Sequence, residues 1–151
     1  MNDKLPELYL ENQLCFPLYA ASRLTTKIYA PFLEEIGITY PQYLVLLTLW
    51  QNNHQSVNAI GKRLYLESNT LTPLLKRLEQ KQLIKRTRSS ADERTVIISL
   101  TPKGNKLKQQ AKKIPHKLIE TFKDQSITKT QLVNFQKTLF HLLGALREKV
   151  E

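Results

Sequence analysis

Residues 68–100 read SNTLTPLLKRLEQKQLIKRTRSSADERTVIISL and contain the change of periodicity that decides the fold. The first part predicts a helix, with Ser68 or Asn69 as its N-cap, because four leucines share one helix face at the i, i+3, i+4, i+7 spacing. These leucines are Leu71, Leu74, Leu75 and Leu78. The second part predicts a β-hairpin, since residues 83–88 and 95–100 are rich in β-branched side chains and flank a short polar loop.

Two more helices are predicted before this stretch. Thr39 is the expected N-cap of the first, and Ser56 is the expected N-cap of a shorter second helix. Their inward side chains are Tyr43, Leu46, Leu47 and Trp50, then Val57, Ile60 and Leu64. Three helices followed by a hairpin are the order of a winged helix-turn-helix, which occupies approximately residues 39–100.

The flanking segments are approximately residues 10–36 and 102–150. In both, apolar side chains recur every three or four residues and form helix faces that are more apolar than a small domain needs for its own core. We therefore expect dimerisation helices at both ends, with Pro17 and Pro31 bending the first one or setting its ends. The C-terminal segment contains two predicted helices with the apolar faces Leu107, Ala111, Ile114 and Leu118, then Leu132, Phe135, Leu139, Leu142 and Leu146. The predicted fold class is mainly α with a small β-hairpin wing, in a single domain over residues 1–151 that joins a winged helix-turn-helix to dimerisation helices.

The formal net charge of the chain is +10, and much of it lies in the middle block. Residues 55–104 hold ten Lys and Arg against four Asp and Glu. A basic surface attracts polyanions by releasing their counterions, so double-stranded DNA is the first partner to consider, although a solvated basic surface has the same composition. No membrane contact is expected, because no apolar run is long enough to span one, and the N-terminal residues lack the apolar core of a secretory signal. These features predict a cytoplasmic protein.

The fourth predicted helix has a polar outer face that suits a major groove, and the short helix and hairpin around it favour recognition over an ordinary surface helix. Its candidate DNA contacts are Ser68, Asn69, Thr70, Thr72, Lys76 and Arg77. Arg77 has the donors to bind guanine edges, and both basic residues have the reach to bind phosphate alone.

The hairpin supplies the second set of candidate DNA contacts. Arg94 lies near its tip, where a guanidinium suits a narrow minor groove. Asp92 either steadies Arg94 in that pose or forms with it an exposed ion pair of little energetic weight. Arg86 and Arg88, on the first strand, are expected to bind phosphates.

Three motifs in this block resemble the MarR family of winged helix-turn-helix regulators. They are LTPLLKRLE at residues 71–79, DER at residues 92–94 and SLTPKG at residues 99–104. The resemblance implies a homodimer that binds a pseudo-palindromic operator, usually as a repressor.

A further set of motifs resembles the organic-hydroperoxide-sensing (OhrR-like) branch of that family. The set comprises LENQLC at residues 10–15, ITYPQY at residues 38–43, Tyr19 and Tyr29. This resemblance implies that Cys15 is the peroxide-sensing thiol and that Tyr29 and Tyr40 hydrogen-bond it.

The spacing around Cys15 agrees with that role. On a helix with about 100° per residue, Tyr19 and Tyr29 each lie about 40° from Cys15 on opposite sides of it. Tyr40 begins the next helix and is placed to close the pocket. Phenolic O–H donors and a first-turn position favour the thiolate, which attacks the O–O bond of a hydroperoxide to give a sulfenic acid. A lone cysteine on an apolar face is also commonly a small buried hydrophobe.

The chain contains one cysteine, so it has no second thiol to resolve a sulfenic acid. The remaining routes are a mixed disulfide with a low-molecular-weight thiol, cyclisation onto a backbone nitrogen, and over-oxidation. Two other functions stay open: a regulator that binds a small phenolic or aromatic ligand with Cys15 inert, and a thiol peroxidase, for which the sequence shows no recycling site. We expect no enzyme, no cofactor and no metal, since His54, His116 and His141 lack the spacing of metal ligands.

Overall fold

The computed structural model describes residues 4–124 and 126–151. Its helices are α1 (Cys15–Glu34), α2 (Tyr40–Gln51), α3 (Val57–Leu64), α4 (Ser68–Gln80), α5 (Pro102–Ala111), α6 (Ile114–Thr121) and α7 (Lys129–Val150). Its strands are β1 (Gln55–Ser56), β2 (Ile84–Arg88) and β3 (Val96–Leu100), and two 3-10 turns, Pro6–Leu8 and Leu10–Asn12, precede α1. The predicted class, mainly helical with a small β wing, is confirmed. The chain divides into two compact units, Met1–Pro115 and His116–Glu151.

The core of the first unit lies among α2, α3 and α4. On α4 it lies on the predicted leucine face, whereas α2 buries Val45 and Leu49 in addition to the predicted Tyr43 and Leu46 and leaves Leu47 and Trp50 only partly buried. Thr39 and Ser56 cap α2 and α3 as expected, each accepting a hydrogen bond from a backbone N–H three residues later. The fully buried side chains include Leu46, Leu49, Ile60, Leu71, Leu75 and Leu78. Burial of one such side chain stabilises the fold by roughly 1.5–3 kcal/mol, so together they hold the three helices in one arrangement.

The predicted hairpin is confirmed as β2 and β3, which pair antiparallel with Arg88 opposite Val96. The sequence analysis missed β1, which pairs with β3 and gives the sheet the order β1-β3-β2. A two-residue strand is too short to show an alternating pattern. Its partner β3 also lies in a distant part of the chain, so no local signal marks the pairing. Ser56 is both the last residue of β1 and the N-cap of α3, so the sheet is joined directly to the helices.

The start of α4 differs by one residue from the prediction. Glu67 is the N-cap, in an extended conformation and without a side-chain capping hydrogen bond. Ser68 is already helical, so neither predicted cap is in place. The Glu67 carbonyl instead accepts the backbone N–H groups of Thr70 and Leu71 at 3.1 and 3.0 Å. Pro73 lies within the helix without ending it, since it removes one backbone hydrogen bond.

Proline sets the ends of other helices. Cys15 is the first residue of α1, which places Pro17 in the first turn, where no backbone N–H is required. The single helix expected after Pro102 is wrong, because α5 ends at Ala111 and α6 begins at Ile114. Pro115 accounts for the break: its nitrogen cannot donate to the carbonyl four residues earlier, and its ring clashes with that carbonyl.

The first turn of α5 packs closely against the base of the sheet. The backbone N–H of Thr101, the N-cap of α5, donates to the Leu83 carbonyl at 3.1 Å. A Cβ on Gly104 would lie 1.9 Å from that same carbonyl oxygen, so only glycine permits the approach. The Gly104 carbonyl in turn accepts a hydrogen bond from Trp50 Nε1 at 3.0 Å.

The helices predicted for dimerisation expose much apolar surface. Thr128 caps α7 as expected, but α7 contains no buried residue. Its exposed large apolar side chains are Leu132, Val133, Phe135, Phe140, Leu142, Leu146 and Val150. In α1 only Leu33 is buried. No helix in the described part of the chain has the length and apolar character to cross a bilayer.

Candidate functional site

The outer face of α4 is polar and accessible. Of the predicted contacts, Thr72 is half-buried, and the others are exposed: Ser68, Asn69, Thr70, Lys76 and Arg77. The leucines of the opposite face are buried in the core, which fixes the direction in which the polar face points. Hydroxyl, amide and basic groups on one exposed helix are the donors that contact phosphates and base edges.

The tip of the wing is ordered by Asp92. Its Oδ1 accepts the backbone N–H of Arg94 at 3.0 Å, and its Oδ2 accepts a hydrogen bond from Thr95 Oγ1 at 3.3 Å. The described residues contain no ion pair between the Asp92 and Arg94 side chains, so Asp92 holds Arg94 by its backbone. Arg88 Nη1 donates to the Glu93 carbonyl at 2.9 Å, across the same loop. The loop therefore presents Arg94 as an exposed side chain on a fixed backbone.

Arg86 is engaged within the protein. Its Nη2 lies 2.9 Å from Glu79 Oε1, and its backbone N–H donates to Glu79 Oε2 at 3.0 Å. These side-chain and backbone hydrogen bonds from Arg86 hold the pKa of the Glu79 carboxyl below its usual value. The sequence analysis missed this pair, since a contact across a helix–strand turn leaves no periodic signal. A phosphate contact of Arg86 stays a prediction and would compete with Glu79.

Cys15 is exposed at the start of α1. Tyr19, one turn further along, is 64% exposed. The guanidinium of Arg23 lies 5.6 Å from the centre of the Tyr19 ring, close enough for a cation–π contact. The thiol is therefore accessible within the single chain and is not a buried core group.

The other two predicted tyrosines lie together in an aromatic cluster. The ring centres of Tyr29 and Tyr40 are 4.9 Å apart. Tyr43 lies 6.1 Å from Tyr29 and 6.4 Å from Tyr40, and Trp50 lies 6.4 Å from Tyr43. Burial, with the neighbouring Tyr40 and Tyr43, raises the pKa of Tyr29 to about 12. The hydroxyl of Tyr29 thus remains an intact O–H donor at neutral pH.

Cys15 and this cluster do not meet within one chain. Cys15 and Tyr29 share a helix face but are fourteen residues apart. With a rise of 1.5 Å per residue, they are separated by about 21 Å along α1. Within the described residues, Cys15 Sγ makes no hydrogen bond to Tyr19, Tyr29 or Tyr40. A helical wheel correctly places Cys15 and Tyr29 on one face of α1, but it does not show how far apart they are along the helix axis.

Comparison with known proteins identifies related chains. A family described as transcriptional regulator SarA/Rot matches residues 27–111. The chain is 48% identical over 149 residues to the organic hydroperoxide resistance transcriptional regulator of Bacillus subtilis (strain 168), with 99% of each chain covered.

Solved structures agree with this relationship. Reduced AbfR bound to DNA is 42% identical, with a TM-score of 0.77 and complete coverage (100%) of both chains. Overoxidized AbfR bound to DNA is 45% identical, with a TM-score of 0.69, over 91% of this chain and 97% of that one. AbfR is a protein of Staphylococcus epidermidis. A MarR transcriptional regulator from Methanosarcina mazei Go1, 19% identical over 86% of this chain and 94% of its own, has a TM-score of 0.73 and shows likeness of fold alone.

The order of the helices, the three-stranded sheet and the near full-length relatives lead to one assignment. The chain belongs to the MarR family of winged helix-turn-helix, DNA-binding transcription regulators, in the branch of the organic hydroperoxide resistance regulators.

Proposed function

We propose that the protein is a homodimeric repressor in the cytoplasm that senses organic hydroperoxides through oxidation of Cys15 and then releases a pseudo-palindromic operator. One observation carries the proposal: the exposed single thiol lies on the same face of α1 as Tyr29, which is half-buried against Tyr40 of α2 and lies too far along α1 for the thiol to reach it within its own chain. A second copy would complete the site. The relationship to hydroperoxide resistance regulators supports the class of oxidant.

A dimer is supported by the outer helices. Phe135, Phe140 and Leu146 of α7 are 56%, 65% and 47% exposed, and no residue of that helix is buried. An isolated amphipathic helix gains most of its stability from tertiary packing, so α7 requires a partner surface. Two-fold dimers are the commonest solution, because each copy then buries the same face.

The two-fold arrangement also supplies the missing hydrogen bonds. If the two copies of α1 run antiparallel, the first turn of one helix approaches the later turns of the other. Cys15 of one subunit then meets Tyr29 and Tyr40 of the partner subunit, with Tyr19 one turn away on its own helix. Phenolic O–H donors stabilise a thiolate and the charge that develops as it reacts.

The proposed reaction is a two-electron oxidation. The Cys15 thiolate attacks the distal oxygen of the hydroperoxide, an S–O bond forms, and the O–O bond breaks. The alkoxide leaves with the bonding electron pair and takes up a proton to become an alcohol, while the distal oxygen and its proton remain on sulfur as a sulfenic acid. Exposed apolar groups beside Cys15, Leu14 and Phe16, suit a hydroperoxide with an apolar body. A low-molecular-weight thiol then displaces water from the sulfenic acid to give a mixed disulfide.

Oxidation releases DNA by changing the spacing of the recognition helices. In a dimer the two copies of α4 enter successive major grooves, about 34 Å apart. The contacts would be made by the exposed polar face of α4, by Arg88 on β2 and by Arg94 at the wing tip, with Arg86 held by Glu79 behind them. A group added to sulfur at the dimer seam displaces α1, and a small displacement weakens both half-site contacts together.

The decisive experiment replaces Cys15 by Ser. Wild type and Cys15→Ser are treated with cumene hydroperoxide, and DNA affinity is measured beside mass spectrometry of the Cys15 peptide. We expect wild type to lose affinity as the sulfur is oxidised, whereas Cys15→Ser remains bound. Cumyl alcohol, which has the same carbon skeleton and no oxidising power, is the matched control.

A second candidate function is release by a small phenolic or aromatic ligand, with Cys15 inert. The observation in its favour is a groove of about 210 Å³ between α2 and α5, lined in part by Tyr43, Leu47 and Trp50. Under this alternative, the Cys15→Ser variant still dissociates from DNA when it is treated with cumene hydroperoxide. Cumyl alcohol lowers the DNA affinity as much as the hydroperoxide does.

A further inference from the structure

A single lysine joins the end of α4 to the start of α2. Lys81 is the C-cap of α4, and its Nζ donates to the Gly37 carbonyl and to Gln42 Oε1, each at 2.8 Å. Gln42 Oε1 also accepts the backbone N–H of Thr39 at 3.1 Å. We call the contacts of Lys81 with Gly37 and Gln42 the Lys81 bridge.

The two acceptors of the Lys81 bridge, Gln42 Oε1 and the Gly37 carbonyl, have positions that are set by the fold. Gln42 is 2% exposed, and its side-chain oxygen is held in place by the backbone N–H of Thr39, so the acceptor that Lys81 meets is fixed by the fold. Gly37 adopts a φ of +74°, which is accessible to glycine, and the resulting turn precedes the N-cap of α2. A lysine ammonium is strongly hydrated and flexible, so holding it in this geometry has a cost that these two acceptors must offset.

The bridge ends on the helical turn that carries two of the clustered tyrosines. Tyr40 and Tyr43 lie on either side of Gln42 in the first turns of α2. The ring centre of Tyr40 is 4.9 Å from that of Tyr29. A displacement of Tyr40 therefore moves the backbone that positions Gln42 and, through it, the acceptor of Lys81.

The apolar contact between α2 and α4 is of a different kind. Leu46 of α2 and Leu75 of α4 are both buried in one apolar cluster, and apolar contact is non-directional, so it holds the helices together without requiring a particular donor–acceptor angle. A charge-assisted hydrogen bond weakens with small changes of distance and angle. The Lys81 bridge is thus a contact whose energy changes with a small movement of α2 relative to α4.

From this arrangement we infer that Lys81 is a positioning residue that couples the tyrosine cluster to the recognition helix α4. In the reduced protein it holds α4 in the DNA-binding orientation, and movement of Tyr40 on oxidation breaks the bridge and releases α4. This inference rests on the proposed function, because it assigns the path by which oxidation reaches DNA.

The test compares DNA affinity in two redox states. The full-length dimer, reduced or oxidised with cumene hydroperoxide, is titrated with a duplex selected from a random pool by reduced wild type. The measured quantity is the ratio of the oxidised to the reduced Kd. Lys81→Met keeps the apolar stem and removes the donors, Lys81→Arg restores a cationic donor, and Lys106→Met removes the same charge from a nearby exposed site outside the bridge.

We expect Lys81→Met to lower the ratio about five-fold or more, with Lys106→Met unchanged and Lys81→Arg at least partly restored. Gln42→Met removes the Gln42 half of the bridge, and the double variant should show no further decrease below Lys81→Met, because Lys81→Met already removes that hydrogen bond. If Lys81→Met fails to fold, Gln42→Met provides the measurement.

Two outcomes separate the possibilities. A ratio that is unchanged in both Lys81→Met and Gln42→Met overturns the inference, including the case in which both redox states weaken equally, as a purely structural lysine would give. A wild-type ratio near one shows instead that the proposed function has failed.

Discussion

Glu79 and Arg86 connect the recognition helix to the wing through both oxygens of one carboxylate. Glu79 Oε1 accepts from Arg86 Nε and Nη2 at 3.1 and 2.9 Å, while Oε2 accepts the Arg86 backbone N–H at 3.0 Å. The last turn of α4 and the start of β2 are thereby held in one relative position. Both parts of the proposed DNA interface, the outer face of α4 and the wing, depend on that position.

The pair predicts a loss of stability in acid. Because the pKa of Glu79 is lowered in the fold, its contribution is complete above the ordinary carboxyl pKa of 4.5 and disappears as the pH falls through the lowered value. We expect Glu79→Gln to lower the free energy of unfolding at pH 7 by about 1 kcal/mol or less, since the pair is partly exposed. The difference from wild type, measured by urea denaturation, should shrink at lower pH.

Glu34→Gln is the matched control for this change, as it removes an exposed carboxylate at the end of α1. A difference at pH 7 as large for Glu34→Gln as for Glu79→Gln would show that net charge, and not the Arg86 contact, is responsible.

The wing tip predicts a salt-dependent contribution to DNA binding. Arg94→Ala should weaken affinity broadly and reduce the slope of log K against log salt by about 0.9 for each phosphate that Arg94 neutralises in the wild-type complex. Lys113→Ala removes one positive charge outside α4 and the wing and is the control. An unchanged slope for Arg94→Ala would remove Arg94 from the interface.

The apolar face of α7 predicts that a charge placed on this face disrupts the proposed dimer. Phe135 is 56% exposed in the single chain. Since a two-fold interface contains the same side chain twice, Phe135→Asp should raise the dissociation constant of the dimer by about a hundred-fold or more. Asn134→Asp places the same charge one residue away, and sedimentation equilibrium measures both. Equal dimer stability in the two variants would contradict a seam at Phe135.

The tyrosine cluster predicts a loss of stability in alkali. The Tyr29 pKa is raised from 10.0 to about 12, so its contribution is complete below pH 10 and is lost as the pH rises through about 12. We expect the free energy of unfolding to fall less steeply over this range in Tyr29→Phe than in wild type. Tyr19→Phe makes the same chemical change at an exposed site. If the free energy of unfolding falls equally with pH in wild type, Tyr29→Phe and Tyr19→Phe, burial of Tyr29 does not contribute to the loss of stability.

Features encoded locally were predicted well. Thr39, Ser56 and Thr128 cap helices as expected, because a cap is decided by a few consecutive residues. The hairpin was also recognised, since the change from helical periodicity to β-branched runs is visible in a short window. The leucine face of α4 followed from spacing alone.

Features that depend on distant residues were missed. β1 exists only because β3 pairs with it, and the Glu79–Arg86 contact requires a turn whose geometry no periodicity records. The relation between Cys15 and Tyr29 was incomplete for a different reason. Projection on a helical wheel discards the axial rise, and the residues that approach Cys15 are expected to belong to another copy of the chain.

The close approach of Gly104 to Leu83 gives the aromatic cluster a second connection. Trp50, at the far end of the row from Tyr29, donates to the Gly104 carbonyl, and Gly104 sits where only a hydrogen fits against the carbonyl before β2. The start of α5, at the base of the wing, is thus hydrogen-bonded to one end of the aromatic row, and the middle members of the row, Tyr40 and Tyr43, flank Gln42 of the Lys81 bridge. Helix α4 and the start of α5 each have a hydrogen-bonded connection to α2, the helix that carries three of the four clustered rings, in addition to the Glu79–Arg86 pair that joins α4 to the wing.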